Sequence, residues 1–172
     1  MPASLKTKVT VRVEAQESET GIAVGGASAS HLRHLCEHVA EYDAGTAASQ
    51  ADVVWSGSGS VASGSPATVD LRGSLASVLT GDATNFVEVV GFMIRNKSTT
   101  TAQYLEIGGG SNAFSSWAGG PGDAVRVGPG GALYISSPID GYATTAGTAD
   151  VLKIEAATGT IAYDIVIVGR SA

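Results

Sequence analysis

The sequence predicts an all-β protein, an antiparallel β-sandwich with at most one or two short helical turns, and three observations predict it. "KVTVRVEA" (8–15) alternates strictly. Val9, Val11 and Val13 point one way while Lys8, Thr10, Arg12 and Glu14 point the other, the period of a half-buried strand. Nine or ten strand-like segments occur in all, separated by Gly, Pro, Asn and Asp roughly every 8–12 residues, the rhythm of a sandwich or barrel. Charged residues make up only 15 % while Gly reaches 23, which suits tight turns and a surface of hydroxyls and backbone.

Taken in order, "ADVVW" (51–55) and "ATVDLRG" (67–73) read as short strands, with the Gly/Ser-rich "SGSGSVASGSP" (56–66) as a loop between them. "FVEVVGFMIRN" (86–96) is long and apolar, so it reads as a central strand with Phe86, Val90, Phe92 and Ile94 on one face. Gly91 is the natural place in it for a bulge. "AQYLEIG" (102–108), "AVRV" (124–127), "ALYIS" (132–136), "VLKIEA" (151–156) and "TIAYDIVIVG" (160–169) complete the set. "ATGT" (157–160) reads as a short hairpin, with Gly159 free to take a positive φ. "SLASVLTG" (74–81) and "NAFSSWAG" (112–119) can each make one helical turn. No repeat or linker interrupts the chain, so residues 1–172 read as a single sandwich domain, with 1–44 supplying its N-terminal strands.

Composition excludes several partners. A net charge of −6 with ten basic residues scattered singly argues against nucleic acid, which rewards clustered Lys and Arg. A single cysteine leaves no internal disulfide. "MPASLKTK" has no apolar stretch after its lysines, so it does not read as a signal peptide. No run of 18 apolar residues occurs, so no membrane partner is expected. The chain reads as a soluble protein made in a cytoplasm that stays folded without covalent staples.

The chemistry-bearing residues concentrate in "HLRHLCEHV" (31–39), which holds His31, His34, Cys36 and His38. On a helix, His31, His34 and His38 would share a face; on a strand, His34, Cys36 and His38 would. A structural zinc needs four ligands, and no other Cys or His exists to close the set. A catalytic zinc needs an acid/base partner such as Glu37 or Glu41 within a recognisable signature, and none is present. "GSGSVASG" (57–64) misses the phosphate-loop spacing and "GGGSNAF" (108–114) has no lysine, so both read as turns. No G-x-S-x-G occurs. Asp70, Glu88, Glu106 and Asp164 lie inside strands, where solvent-facing alternation accounts for them. "NKS" (96–98) matches a glycosylation sequon that is idle without secretion. Trp55, Trp117, Tyr134 and Tyr142 have the character of a sugar-binding site, although half-buried packing is the commoner role of such rings. We therefore expect no catalytic, cofactor or metal site, and no enzyme.

The segments "GTAASQADVVWSGSGSVASGSPATVDLRGSL" (45–75), "PGGALYISSPIDGYATTAGTADVLKI" (129–154) and "IAYDIVIVG" (161–169) resemble a family of small tailed-bacteriophage virion proteins. The "QADVVW" and "VDLRGSL" steps, the "PGG" turn, "GYATTAGTADVLKI" and the final "YDIVIVG" carry the resemblance, which covers about three-quarters of the chain from Gly45 onward. It implies a jelly-roll capsid decoration (cement) protein on the outer surface of the head, with the major capsid protein as partner. It also implies that the segment before Gly45 is strand-like, so 33–42 reads as a strand despite the helical spacing of Leu32, Leu35, Cys36 and Val39. Exposed sheet edges must be covered, and a homodimer or homotrimer does this most simply. The alternatives are a tail, collar or fibre-base component, and a carbohydrate-binding sandwich using Trp117 and Tyr142.

The His/Cys cluster should be free of metal. Elemental analysis of protein purified without a histidine tag or metal resin checks this. Stoichiometric zinc whose removal lowers the melting temperature would overturn it.

Overall fold

The computed structural model describes residues 5–19, 30–73, 75–76 and 83–172. Among them are ten strands of four residues or more, four two-residue pieces and no helix. In chain order they are β1 (Thr7–Glu19), β2 (Ser30–Ala44), β3 (Gln50–Ala51), β4 (Val53–Ala62), β5 (Ala67–Asp70), β6 (Leu75–Ala76) and β7 (Ala83–Thr84). Then come β8 (Glu88–Asn96), β9 (Leu105–Gly108), β10 (Ala124–Val127), β11 (Ala132–Ser136), β12 (Tyr142–Ala143), β13 (Val151–Ala156) and β14 (Thr160–Arg170). The expected helical turn at 112–119 is a single turn closed by the Ala118 and Gly119 amides on the Ser115 carbonyl. Of the other, Leu75 and Ala76 are strand, and most of the rest lies outside the described residues.

Two antiparallel sheets form a sandwich. One runs β11-β8-β14-β4, with β12 also pairing β8; the other runs β10-β9-β13-β5. Alternation builds the layer between them: in β13, Leu152, Ile154 and Ala156 are buried while Val151, Lys153 and Glu155 are half-exposed. Phe92, Ile94, Ile161, Ile165 and Ile167 from the first sheet meet Leu105, Ile107, Leu152 and Ile154 from the second in one core. At roughly 1.5–3 kcal/mol for each large apolar side chain removed from water, this layer is the main stabilising term.

Three local expectations need correction. The stretch read as a loop at 56–66 is strand as far as Ala62, paired along its length with β14. Gly57 and Gly59 lie on the inner face, where aromatic rings fill the space their missing side chains leave. A Cβ at Gly57 would come within 2.6 Å of the Trp55 ring, and one at Gly59 within 3.1 Å of the Tyr163 hydroxyl. The glycines that looked like turn signals are the floor on which two rings lie. The turn itself is shorter, with the Ser65 amide on the Ala62 carbonyl and Gly64 at φ 76°.

Second, the bulge expected at Gly91 falls one residue earlier. Val168 pairs with Gly91 but Gly169 pairs with Val89, so Val90 is the extra residue. An extra residue reverses the alternation. Val89 therefore joins the main core with Phe86, Phe92 and Ile94, while Val90, expected to share their face, packs in a second cluster with Tyr42 and Val168. Third, "ATGT" is not a hairpin. Gly159 has the expected positive φ, 67°, but β13 and β14 belong to different sheets, so the turn carries the chain across the sandwich.

Outside the sandwich, β1 and β2 form a long antiparallel ribbon, from Thr7 opposite Tyr42 to Glu19 opposite Ser30. β2 is the strand expected at 33–42, and its end pairs in parallel with β3. Val9 and Val11 are half-exposed as the alternation predicts, but Val13 is 66 % exposed. The ribbon has run past whatever covers its base.

Arg170 holds these parts in register. Its side chain is 4 % exposed and pairs with Glu88 at 2.7 Å. It also donates to the carbonyls of Pro138 (2.6 Å), Ile139 (3.1 Å) and Gln50 (3.1 Å). Arg170→Ala should therefore cost about 3 kcal/mol of unfolding free energy or more, because it takes the guanidinium from the Glu88 carboxylate and from the Gln50 and Ile139 carbonyls, while the Pro138 carbonyl keeps the Ser49 amide. Urea denaturation reads this as a lowered midpoint, and a midpoint within error of wild type refutes it.

Candidate functional site

β2 places His34, Cys36 and His38 on one face, opposite Ala15, Val13 and Val11. The His31 side chain lies outside the described residues. Among the described residues no three His, Cys, Asp or Glu side chains come together as a metal-holding group. His38 instead faces Tyr134, with ring centroids 6.2 Å apart.

The aromatic residues divide. Trp117 packs edge-on against Phe92, centroids 5.2 Å apart, and its indole N–H donates to the Phe114 carbonyl. Trp55 and Tyr142 pack against the same core. The rings proposed as sugar platforms thus serve the interior, and only Tyr134 lies on the outer face. Asn96, the sequon residue, is fully buried: its amide donates to the Gln103 and Val127 carbonyls and accepts from the Ser98 N–H, tying one end of the two sheets together. Of the strand acids, Glu106 pairs with Arg126 and Asp164 with Lys97 near the surface, while Asp70 accepts from the Arg72 amide. Glu88 departs from simple alternation through its pair with the buried Arg170.

The surface that stands out is the ribbon and the sheet beneath it. At its base Leu5, Val9, Ala40 and Tyr42 pack on Ala51, Val90 and Val168, on the outer face of the first sheet. The bulge supplies this contact by turning Val90 outward. Beside β1 the base leaves a groove of about 240 Å³ lined by Val9, Thr10, Met93, Tyr134, Val166 and Val168, with Met93 and Val166 each 42 % exposed. Further out both faces of the ribbon are exposed: Val13 and Cys36 on one, Leu35 (53 %) and Val39 on the other. Beyond its base, then, the ribbon stands clear of the sandwich as an arm.

The arm's second face is charged across its width. Lys8 pairs with Glu41 at 2.8 Å, and Arg12 pairs with Glu14 and reaches Glu37 at 3.9 Å. The hydrogen bond and the opposite charge raise the Lys8 pKa and lower that of Glu41. Exposed pairs of this kind fix geometry and partner choice more than stability. Under the arm, burial pushes the Tyr42 hydroxyl up to about 12, and the neighbouring Tyr134 hydroxyl adds to the effect. The Tyr134 hydroxyl is itself buried beside it. Tyr42, Met93 and Val166 were not picked out from the sequence. Their only signal is apolar character on the strand face opposite the core, which reads as noise until a second layer covers it.

This arrangement can bind: it offers a rigid sheet, an apolar groove and a strand edge. Comparison with protein-family models, curated protein sequences and solved structures finds no match to the chain.

The arm base should loosen in alkali. A tyrosine whose folded pKa lies above the ordinary 10.0 contributes stability that is complete below pH 10 and lost as pH rises through about 12. Tyrosinate absorbance followed alongside near-ultraviolet circular dichroism should show a late-titrating hydroxyl in that window, removed by Tyr42→Phe. Titration of every tyrosine near pH 10 in the folded protein would contradict it.

Proposed function

We propose that this chain is a non-enzymatic decoration protein of a tailed-phage capsid, binding the outside of the head and resisting its rupture. The observation that carries this is the arm. A rigid sandwich whose apolar groove lies on one side together with a strand edge that is unpartnered among the described residues is built to adhere to another protein surface. The resemblance from Gly45 to Gly169 supplies the kind of surface.

The strand order supports a jelly-roll reading of the sandwich. Counting its eight strands from β4 to β14, the orders β4-β14-β8-β11 and β5-β13-β9-β10 set the first beside the eighth and the second beside the seventh, as two wrapped Greek keys require. Net charge of −6 suits a particle's outside better than its DNA-filled interior. With 15 % charged residues, adhesion rests on apolar and main-chain contacts and tolerates raised salt. Each contact need contribute only a few kcal/mol, because many symmetry-related copies act together.

Deleting the gene and imaging the particles tests this. The expected mutant heads lose surface density and release DNA at a lower temperature, and purified protein restores both, including at moderately raised salt. Heads with complete outer density and missing mass at the tail would instead identify a tail, collar or fibre-base component.

A further inference from the structure

β1 is an edge strand. It pairs with β2 on one side and with no strand on the other among the described residues. Two-stranded ribbons are marginal on their own in water, and an unpaired edge of main-chain donors and acceptors is a template for another strand. This edge carries a pattern that selects its partner.

We infer that two copies of the chain join through β1, antiparallel about a twofold axis at Val11, to make a continuous sheet in the order β2-β1-β1-β2. An isologous antiparallel pair must keep each side chain on its own face, so the axis can only pass through a residue. Centred on Thr10, the pairing sets Lys8 opposite Arg12 of the second copy. Centred on Arg12, it sets Arg12 opposite itself. Centred on Val11, it sets Lys8 opposite Glu14, Thr10 opposite Arg12, Val9 opposite Val13, and Val11 opposite Val11. Like charges directly across a sheet are destabilising and opposite ones favourable, so the charge pattern disfavours the Thr10 and Arg12 registers. Centred on Val13, the pairing sets Arg12 opposite Glu14 but places Glu17 beside Val9, at the apolar groove, so charge and groove together leave the Val11 register.

The groove fits the same register. Val9 forms one wall of the apolar space beside β1, whose floor includes Met93 and Val166. In the Val11 register the second copy's Val13 stands beside Val9, on the side chain face that the base already buries against the sheet. The 66 % exposure of Val13 and the 42 % exposure of Met93 and Val166 are then two halves of one contact, made twice across the axis. The intermolecular sheet simply continues the ribbon's packing on its own sandwich.

This inference stands on the arm alone and does not need the capsid reading. Sedimentation equilibrium of the full chain should show a monomer–dimer equilibrium. Val13→Glu, at an exposed position that leaves the folded monomer intact by circular dichroism, should raise the dimer dissociation constant at least tenfold. Lys8→Glu and Glu14→Lys should each weaken the dimer, and combining them should recover most of the loss. With Cys36→Ser, Val11→Cys should form an intermolecular disulfide on mild oxidation, since residues directly opposite lie within disulfide reach, whereas Val13→Cys should not. A wild-type chain that remains monomeric at hundreds of micromolar overturns the inference. So does a dimer indifferent to Val13→Glu, or one that cross-links through position 13 and not 11. A Val13→Glu monomer that still coats capsids supports the β1 contact and leaves decoration intact, while a wild-type dimer that never binds a head defeats only the capsid reading.

Discussion

The Arg170 guanidinium lies where the sandwich, its bulge and the arm meet. Its neighbour Gly169 sits opposite Val89, across the bulge, and a Cβ there would fall 2.3 Å from the Glu88 carbonyl oxygen and 2.5 Å from the Phe86 ring. Only glycine lets β14 approach so closely. That approach brings the Arg170 side chain against Glu88, the 138–139 turn and Gln50 at once. Gln50 belongs to β3, and β3 pairs with the end of β2. One buried cation thus fixes the last sandwich strand and the root of the arm together. Its charge is tolerable there because one carboxylate and three carbonyls replace the water it has lost.

The two halves of the molecule answer different physical demands. The sandwich satisfies its own backbone through sheet pairing and its own apolar surface through one dense core, and what it shows to solvent is largely serine, threonine and glycine. The arm does neither. Its outer section buries little, one strand edge has no partner among the described residues, and its charges are arranged in pairs across the ribbon rather than scattered. A chain with so few charges has little electrostatic means of choosing partners, so the few it has on the arm carry weight out of proportion to their number. They give register while valines give adhesion.

A head-coating role and a paired arm are compatible in one respect that matters mechanically. A sheet that joins the arms of two copies transmits tension along covalent strands and cross-strand hydrogen bonds, whereas two globules touching at side chains would slide. The groove under β1 adds a hydrophobic lock whose strength does not fall with salt.

Much of this was legible in the sequence. The alternation of "KVTVRVEA", the apolar run at 86–96 and the turn punctuation after it define strands because side-chain period and turn chemistry are local properties. That only three of His31, His34, Cys36 and His38 can share one face, with no other Cys or His to complete a set of four, is likewise a matter of counting residues. What tertiary structure decided is everything that depends on a neighbour distant in sequence. Gly57 and Gly59 are strand residues because they pair with Ile165 and Tyr163 of β14. Val90 turns outward because β14 forces an extra residue into β8. "ATGT" crosses between sheets because Ile154 and Ile165 must face each other across the core rather than pair along one sheet. Val13, identical to Val9 in chemistry and phase, is exposed because the sandwich ends beneath it. Sequence by itself determined the alternation of strands such as β1 and β13 and the turn punctuation after residue 96; only packing decided which apolar face found a layer and which was left for another molecule, since burial belongs to the pair of surfaces and not to either strand.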